Sequence, residues 1–253
     1  MKIAVCVKQV ATRDWPLRVD DQEKWVRDSD ASFEMNEPDA YALEEALRLK
    51  EKHDCEVVVC SAGPTRVSQV IREGLARGAD RGIHVESDDL KTADTFVVAN
   101  ALADSIRTER FDLVLTGLQS EDQGFGQTGV VLAELLGMTH ATIIMEVQVS
   151  GGQVRVKREL ENGWFQWVSL PTPALLTIQS GINQLRYATL KGIMASKKKE
   201  LRKISMTTLA QSRHRILNLY VPEKGKKLKL VKGTPPEAAK ELIRVLREEA
   251  RVF

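Results

Sequence analysis

The sequence predicts an α/β fold: a parallel sheet with helices on both faces, antiparallel hairpin additions, and an extended C-terminal arm ending in a helix. Three observations predict it. From residue 1 to 137, short aliphatic runs alternate with segments of helical period over short connections, the pattern of strand–helix–strand units. From 141 to 179 strand-like runs follow one another directly, separated by Ser150-Gly151-Gly152 and Glu161-Asn162-Gly163. Gly-Gly and Asn-Gly are strong hairpin turns because both positions accept positive φ. Beyond a basic, irregular stretch, Thr234-Pro235-Pro236 opens a last helix, proline being well suited to a first helical turn. With 253 residues, 43% of them hydrophobic, the chain can bury one large domain and still carry appendages.

Ile3 to Val7 is the first strand, too short and too near the start to be a signal peptide's apolar core. Leu17-Arg18-Val19 and Lys24-Trp25-Val26 alternate about an Asp-Asp turn, which predicts a β-hairpin insertion. Asn36 is expected to cap a helix, with Asp39 three residues on as a variant capping box. Leu43, Ala46, Leu47 and Leu49 form the apolar side of that helix, which ends near His53. Glu56 to Cys60 is a second buried strand, and Thr65 to Arg77 a helix stopped by Gly78. Gly82 to Val85 is a third strand, and Thr92 to Arg107 a helix with Phe96, Ala99, Leu102 and Ile106 facing inward.

The stretch from Phe111 to Gly137 organises the rest. Asp112 to Leu115 is a buried strand, Gln127 to Leu136 has helical spacing, and Gly117, Gly124, Gly126 and Gly129 mark the loop between. Strand, glycine-bearing loop and helix together build an anion site, because the first helical N–H groups lack internal partners and the dipole adds partial positive charge. The dipole supplies about 0.3–1 kcal/mol. Donors such as the Gln127 and Thr128 side chains, at roughly 1.5–3 kcal/mol per charge-assisted bond, must do most of the holding. In a parallel sheet a ligand sits beyond the carboxyl ends of the strands, where the strand order reverses. The loops after Val7, around Asn36, around Ala62 and from Gly117 to Thr128 all fall at such ends.

Ala141 to Val149, Gln153 to Leu160, Trp164 to Leu170 and Pro173 to Ile178 read as strands. Asn183 to Lys199 fits neither period, and the tail to Gly233 is irregular. The final helix offers Leu242, Val245, Leu246 and Phe253 as an apolar side.

Net charge is +2, and no apolar run approaches the length of a membrane span. Three cysteines without CxxC spacing (Cys6, Cys55, Cys60) argue against a disulfide framework or zinc site and fit a reducing cytoplasm. Between Tyr187 and Gly233 the only acids are Glu200 and Glu223. Such a basic run suits an acidic partner, but no aromatic platform is interleaved with its lysines, which disfavours nucleic acid. No nucleophile–base pair, metal motif or Walker loop is present, and the four histidines read as surface or packing residues. The expectation is a nucleotide-binding protein without catalytic side chains.

Several stretches together resemble one family. MKIAVCVKQV at the start, MNEPDAYALEEALRLKE, GLARGADRGIHVE over 74–86, the DxxxGQTG loop ending at Gly129, and RYATLKGIMASKKKEL are similar to the beta subunit of electron-transfer flavoprotein. The resemblance spans nearly the whole chain. It implies a nucleotide-binding α/β domain of adenine nucleotide hydrolase-like kind over 1–182, a partner recognition loop over 183–200, and a C-terminal arm and helix over 201–253 that packs on a partner subunit. It also implies a heterodimer with an alpha subunit that holds most of an FAD. An AMP is then buried here, and electrons pass from an acyl-CoA-type or other flavin dehydrogenase to a quinone reductase or other acceptor.

Carried over by position, the ligand-binding residues are Cys6, Val7, Asn36, Asp39, Ala62, Gly117, Gln119, Asp122, Phe125, Gly126, Gln127 and Thr128. Gln127 and Thr128 would grip the phosphate. AMP-holding members show DDDxNQTG, so Gly126 stands here in place of Asn; electron-bifurcating members, with a second FAD and NADH, show a loop like DGDTAQVG. The retained Gln-Thr-Gly favours AMP. A regulatory nucleotide-binding module of universal-stress type is a third alternative. The recognition loop implies Tyr187, Leu190, Ile193, Met194, Lys197 and Lys198 as partner-binding residues, with Leu190 the inserted anchor. The competing expectation is that Leu190, Ile193 and Met194 are core residues of a short helix.

Overall fold

A computed structural model describes residues 1–12, 18–27, 29, 31–206, 208–222 and 228–252. Contacts divide the chain into two units, Met1–Leu219 and Tyr220–Phe253. In chain order the first unit contains β1 (Lys2–Cys6), β2 (Gln9–Ala11), β3 (Phe33–Met35), α1 (Glu37–His53), β4 (Glu56–Gly63), α2 (Ser68–Arg77), β5 (Arg81–Glu86), α3 (Thr95–Ile106), β6 (Leu113–Gly117) and α4 (Thr128–Leu136). There follow β7 (Thr139–Ser150), β8 (Gln153–Glu159), β9 (Phe165–Pro171), β10 (Ala174–Ile178), α5 (Leu190–Ser196) and β11 (Leu201–Ser205).

Nine strands form one sheet in the order β11-β5-β4-β1-β6-β10-β7-β8-β9. All neighbours pair in parallel except β7 with β8 and β8 with β9, which are antiparallel. The order reverses beside β1: β4 and β5 lie to one side of it, β6 and β10 to the other. Period two divides β1 between two cores, since successive side chains point to opposite faces. Ile3 and Val5 join Leu43, Leu47, Val70, Ile71 and Leu75 of α1 and α2 on one face. Ala4 and Cys6 join Val97, Leu102, Ile106 and Leu132 of α3 and α4 on the other. The α/β class with hairpin additions is therefore what the rhythm of the sequence predicts.

Three expectations change. The excursion between β1 and α1 pairs more widely than the expected hairpin of 17–19 with 24–26. At its base β2 and β3 are antiparallel, and inside it Val19 bridges Val26 antiparallel, with the Asp20 amide on the Trp25 carbonyl at 2.7 Å and the Arg27 amide on the Arg18 carbonyl at 2.8 Å; Leu17 lies outside the described residues. The segment 183–199 contains a helix, α5, capped by the Thr189 hydroxyl, which accepts the Gly192 amide at 3.0 Å. And residues 201–205 are not the start of an arm: they are β11, the edge strand beside β5. Its alternation in LRKIS is too short and too charged to stand out, and the pairing with β5 decides it.

The N-terminal end of the sheet is held by ion pairs. Glu109 contacts Lys2 Nζ at 2.6 Å, Arg81 at 2.7 Å and Arg202 at 2.9 Å, so one carboxylate joins β1, β5 and β11. The hydrogen bond from Lys2, with Arg81 beside it, outweighs desolvation and draws the Glu109 carboxyl down to about 2.

The second unit contains α6 (Pro235–Arg244), where the Glu237 carboxylate reaches back to the Thr234 amide at 2.8 Å, and a π-helical turn over Val245–Glu249. Leu242 and Ile243 are exposed on it, and Phe253 lies outside the described residues.

A Cβ at Gly192 would stand 2.2 Å from the carbonyl oxygen of Ala76, a backbone atom that cannot swing aside. Gly192→Ala should therefore unseat α5 from the end of α2, at a cost of about 1–3 kcal/mol. Loss of amide protection confined to 189–199, with the sheet still protected, is the expected hydrogen-exchange result.

Candidate functional site

A cleft of about 850 Å3, part of it open to solvent, lies at the carboxyl ends of β1, β4 and β6. This is the place where the strand order reverses, where parallel α/β sheets take their ligands. Cys6 and Val7 enter it from β1, Ala62 from β4, and Gly117 to Ser120 from β6. Leu90, Val98 and Leu102 supply an apolar side, and Phe125 to Gly129 the glycine-bearing loop and the start of α4.

Asp39 holds these segments together. Its Oδ2 accepts the Lys8 amide at 2.8 Å, and its Oδ1 accepts the Gly117 amide at 2.8 Å. One side chain on the first turn of α1 thereby ties the end of β1 to the end of β6. Gly117 must lack a side chain for this: a Cβ there would stand 2.5 Å from Asp39 Oδ1 and 2.7 Å from the Asp39 amide nitrogen. Asn36 does related work. No side chain caps α1; the Asn36 amide group donates to the Gln119 carbonyl at 3.0 Å and its Oδ1 accepts the Glu121 amide at 3.0 Å. The expected capping box at Asn36 and Asp39 is thus absent, because both side chains are diverted to the loop after β6.

Two helices begin at the cleft, and their N-termini differ. Asp94 caps α3, its Oδ1 accepting the Val97 amide at 2.8 Å. Gln127 precedes α4 and makes no cap bond, so the first-turn N–H groups of α4 have neither an internal partner nor a side-chain one. Gln127 instead accepts from the Thr95 hydroxyl at 3.2 Å. A negative charge already stands at α3, whereas α4 presents free donors and uncompensated dipole. An uncapped helix start of this kind is chemically suited to an anion.

The cleft wall contains Cys6, Val7, Asn36, Asp39, Ala62, Gly117, Gln119, Phe125, Gly126, Gln127 and Thr128. Asp122 is the exception among the expected residues. It lies outside the wall, and its carboxylate accepts from Lys8 Nζ at 2.7 Å. Lys8 also reaches Ser120 and Gln123, at 3.3 and 3.1 Å, so it pins the glycine loop. Lys8, Leu90, Thr95 and Thr116 are wall residues that sequence reasoning missed; only for Lys8, directly after Val7, was a signal present. The expected inward Phe96 is only half-buried, with the Arg213 guanidinium 4.9 Å from its ring. The Cys6 and Cys60 thiols are buried, and desolvation raises both, Cys60 to about 12, so neither is a nucleophile near neutral pH.

The segment 186–199 is pinned yet presents its apolar side chains. Arg186 grips Glu44 at 2.8 and 3.0 Å and Glu51 at 2.6 Å on α1. Arg72 donates to the Lys199 carbonyl at 2.8 Å, and Lys199 Nζ donates to the Leu75 carbonyl at 3.0 Å. Between these anchors Tyr187, Ile193, Lys197 and Lys198 are exposed, Leu190 is 83% exposed and Met194 71%. Leu190, Ile193 and Met194 are not core residues.

Burial pushes the Asp39 carboxyl up to about 6, against the amides of Lys8 and Gly117, which pull it down. The folded chain then holds this proton more tightly than the unfolded chain, whose aspartates titrate near about 3.9. Stability from this group is fully present below about pH 4 and is lost as pH rises through about 6. Relative to Asp39→Asn, which does not titrate, wild-type stability should fall over that window by roughly 1.4 kcal/mol per pH unit at its steepest. Urea unfolding of both proteins from pH 4 to 7 measures the difference; a flat difference would contradict it.

Comparison with known proteins places these features in a family. Residues 24–209 match the family model of the electron transfer flavoprotein domain. The chain is 38% identical to an electron transfer flavoprotein subunit beta from Methylophilus methylotrophus, over 98% of both chains. It is 37% identical to one from Bradyrhizobium diazoefficiens over the full length of both, and 33% identical to one from Homo sapiens over all of this chain and 99% of that one. The chain belongs to the electron transfer flavoprotein family, among its beta subunits.

Proposed function

We propose that this chain is the smaller subunit of an electron-carrying flavoprotein heterodimer, that it holds one AMP as a structural ligand, and that an alpha subunit holds most of the FAD. The observation that carries the nucleotide reading is the asymmetry of the two helix starts at the cleft: α3 capped by Asp94, α4 bare at Gln127 and Thr128. A monophosphate receives the α4 donors, while Val7, Leu90, Val98, Leu102 and Phe125 give an adenine an apolar bed. Gly126, which stands where AMP-holding relatives carry Asn, has φ of 63°. Asn is the residue other than glycine that most readily adopts this conformation. The exchange therefore leaves the loop's course unchanged.

The electron-carrier reading draws on family membership. When bound, the FAD supplies the redox chemistry; this chain contributes the rigid scaffold and the docking surface. Trp164, Phe165 and Trp167 are exposed on β9 and the turn before it, with Arg155 and Lys157 over the Trp167 and Phe165 rings. An apolar strip of this kind on a sheet end suits burial against the larger subunit.

At α5, one projecting leucine beside mobile lysines gives a small hot spot of roughly 2 kcal/mol and steers encounter with an acidic dehydrogenase surface. A carrier must also leave quickly, and a single anchor permits that. No helix among the described residues is long and apolar enough to cross a membrane, so a membrane-bound quinone reductase would be met from outside the bilayer.

Two measurements test this. Denaturing the purified heterodimer should release one AMP and one FAD; two FAD would favour an NADH-using, electron-bifurcating subunit, and ATP without flavin a regulatory module. Leu190→Ala should slow reduction by the dehydrogenase about tenfold or more with nucleotide content intact; loss of nucleotide or of the heterodimer instead would overturn the anchor assignment.

A further inference from the structure

The segment 211–216, which no motif marks, lies beside the cleft and is tied to its rim at two places. Asp94 stands between Ala93 and Thr95, both wall residues, and its side chain is almost wholly buried. While its Oδ1 caps α3, its Oδ2 accepts the Ser212 hydroxyl at 2.9 Å, the His214 amide at 3.0 Å and the Arg213 amide. The His214 ring meets Phe125, a wall residue of the glycine loop, edge to face at 5.1 Å. Arg213 covers the Phe96 ring on the first turn of α3. Beyond these contacts the segment is held to the turn at 20–25: the Leu219 amide donates to the Glu23 carbonyl at 2.6 Å, and Lys24 Nζ reaches the Leu217 carbonyl. A second, open cavity bounded by 211–216 and 20–25 shares Lys91, Ala93 and Gln123 with the cleft. The segment therefore runs along the rim of the cleft, from the start of α3 to the glycine loop.

We propose that residues 211–216 form a strap that retains the adenylate, with Asp94 as its latch and the His214–Phe125 contact as its closing point. The proposal rests on the adenylate reading of the cleft. Asp94 is a positioning residue: it holds the strap, and the strap blocks the ligand's exit. Desolvation raises the Asp94 carboxyl, but the amides of Val97, His214 and Arg213 and the Ser212 hydroxyl outweigh it and hold it down to about 2, so the latch stays ionised at neutral pH. A nucleotide that serves as structure and not as substrate needs slow exchange, and the strap provides it without further contacts to the phosphate.

Two variants separate the latch from the fold. Asp94→Ser keeps a hydroxyl to cap α3 but is too short to hold 212–214 as well. His214→Ala leaves Asp94 and its bonds in place and removes only the contact to Phe125. In the purified heterodimer loaded with radiolabelled AMP and chased with unlabelled AMP, Asp94→Ser should release label at least tenfold faster than wild type, and His214→Ala at least threefold faster, with FAD content unchanged. Trypsin cleavage after Arg213 and Arg215 should rise at least tenfold in Asp94→Ser. Release at the wild-type rate in both variants would overturn the strap. If the wild-type protein takes up no AMP, the adenylate reading fails, and the trypsin rates alone then judge the strap: equal rates in wild type and Asp94→Ser overturn it.

Discussion

A buried carboxylate on the first turn of α1 is the constraint on which the site depends. The ends of parallel strands leave backbone N–H groups with no ladder partner, and at the reversal of strand order two such ends face each other across a gap. Asp39 fills the gap from the side, taking one N–H from the chain leaving β1 and one from the end of β6. Because Gly117 has no side chain, α1 packs directly against the last residue of β6. Burying a charge there is costly, and its raised pKa is the sign of that cost. The return is a cleft whose walls are set by backbone hydrogen bonds.

The rest of the domain divides its tasks by position. At the opposite end of the sheet, Glu109 gathers Lys2, Arg81 and Arg202, and this end is a matter of stability. On one flank, Arg186, Arg72 and Lys199 fasten the segment 186–199 to α1 and α2. The ordering cost of the segment is thereby met within this chain, and Leu190 can project without a partner. An apolar side chain held rigidly in this way would lose less entropy in any encounter than a mobile one.

Helix capping links the cleft to its surroundings. Asp94 and Gln127 precede two helices that start side by side, yet one is capped and the other is not. The capped helix carries a carboxylate that also holds 212–214; the bare helix leaves its first N–H groups facing the cleft. The same elementary fact, that four N–H groups at a helix start lack partners, is thus answered by a side chain at α3 and left open at α4.

By itself the sequence determined the alternation of strands and helices, the glycine-bearing loop between β6 and α4, and the family resemblance, since these are properties of neighbouring residues read at periods of 2 and 3.6. It brought out the loops after Val7, around Asn36, around Ala62 and over 117–128 as one group because loops after parallel strands share an end of the sheet, and the family resemblance added Cys6 and Asp39. It could not show that Asn36 and Asp39 leave their helix uncapped to bind the loop after β6, nor that Asp122 turns to Lys8. Leu201–Ser205 is a strand only because β5 offers an open edge, and the close seating of Gly192 against Ala76, with Leu190 left exposed on the same helix, is likewise set by packing. Asp94's hold on 212–214 joins residues more than a hundred positions apart. Such pairings depend on which chemical groups the closed sheet brings within hydrogen-bond distance, and no local pattern carries that information.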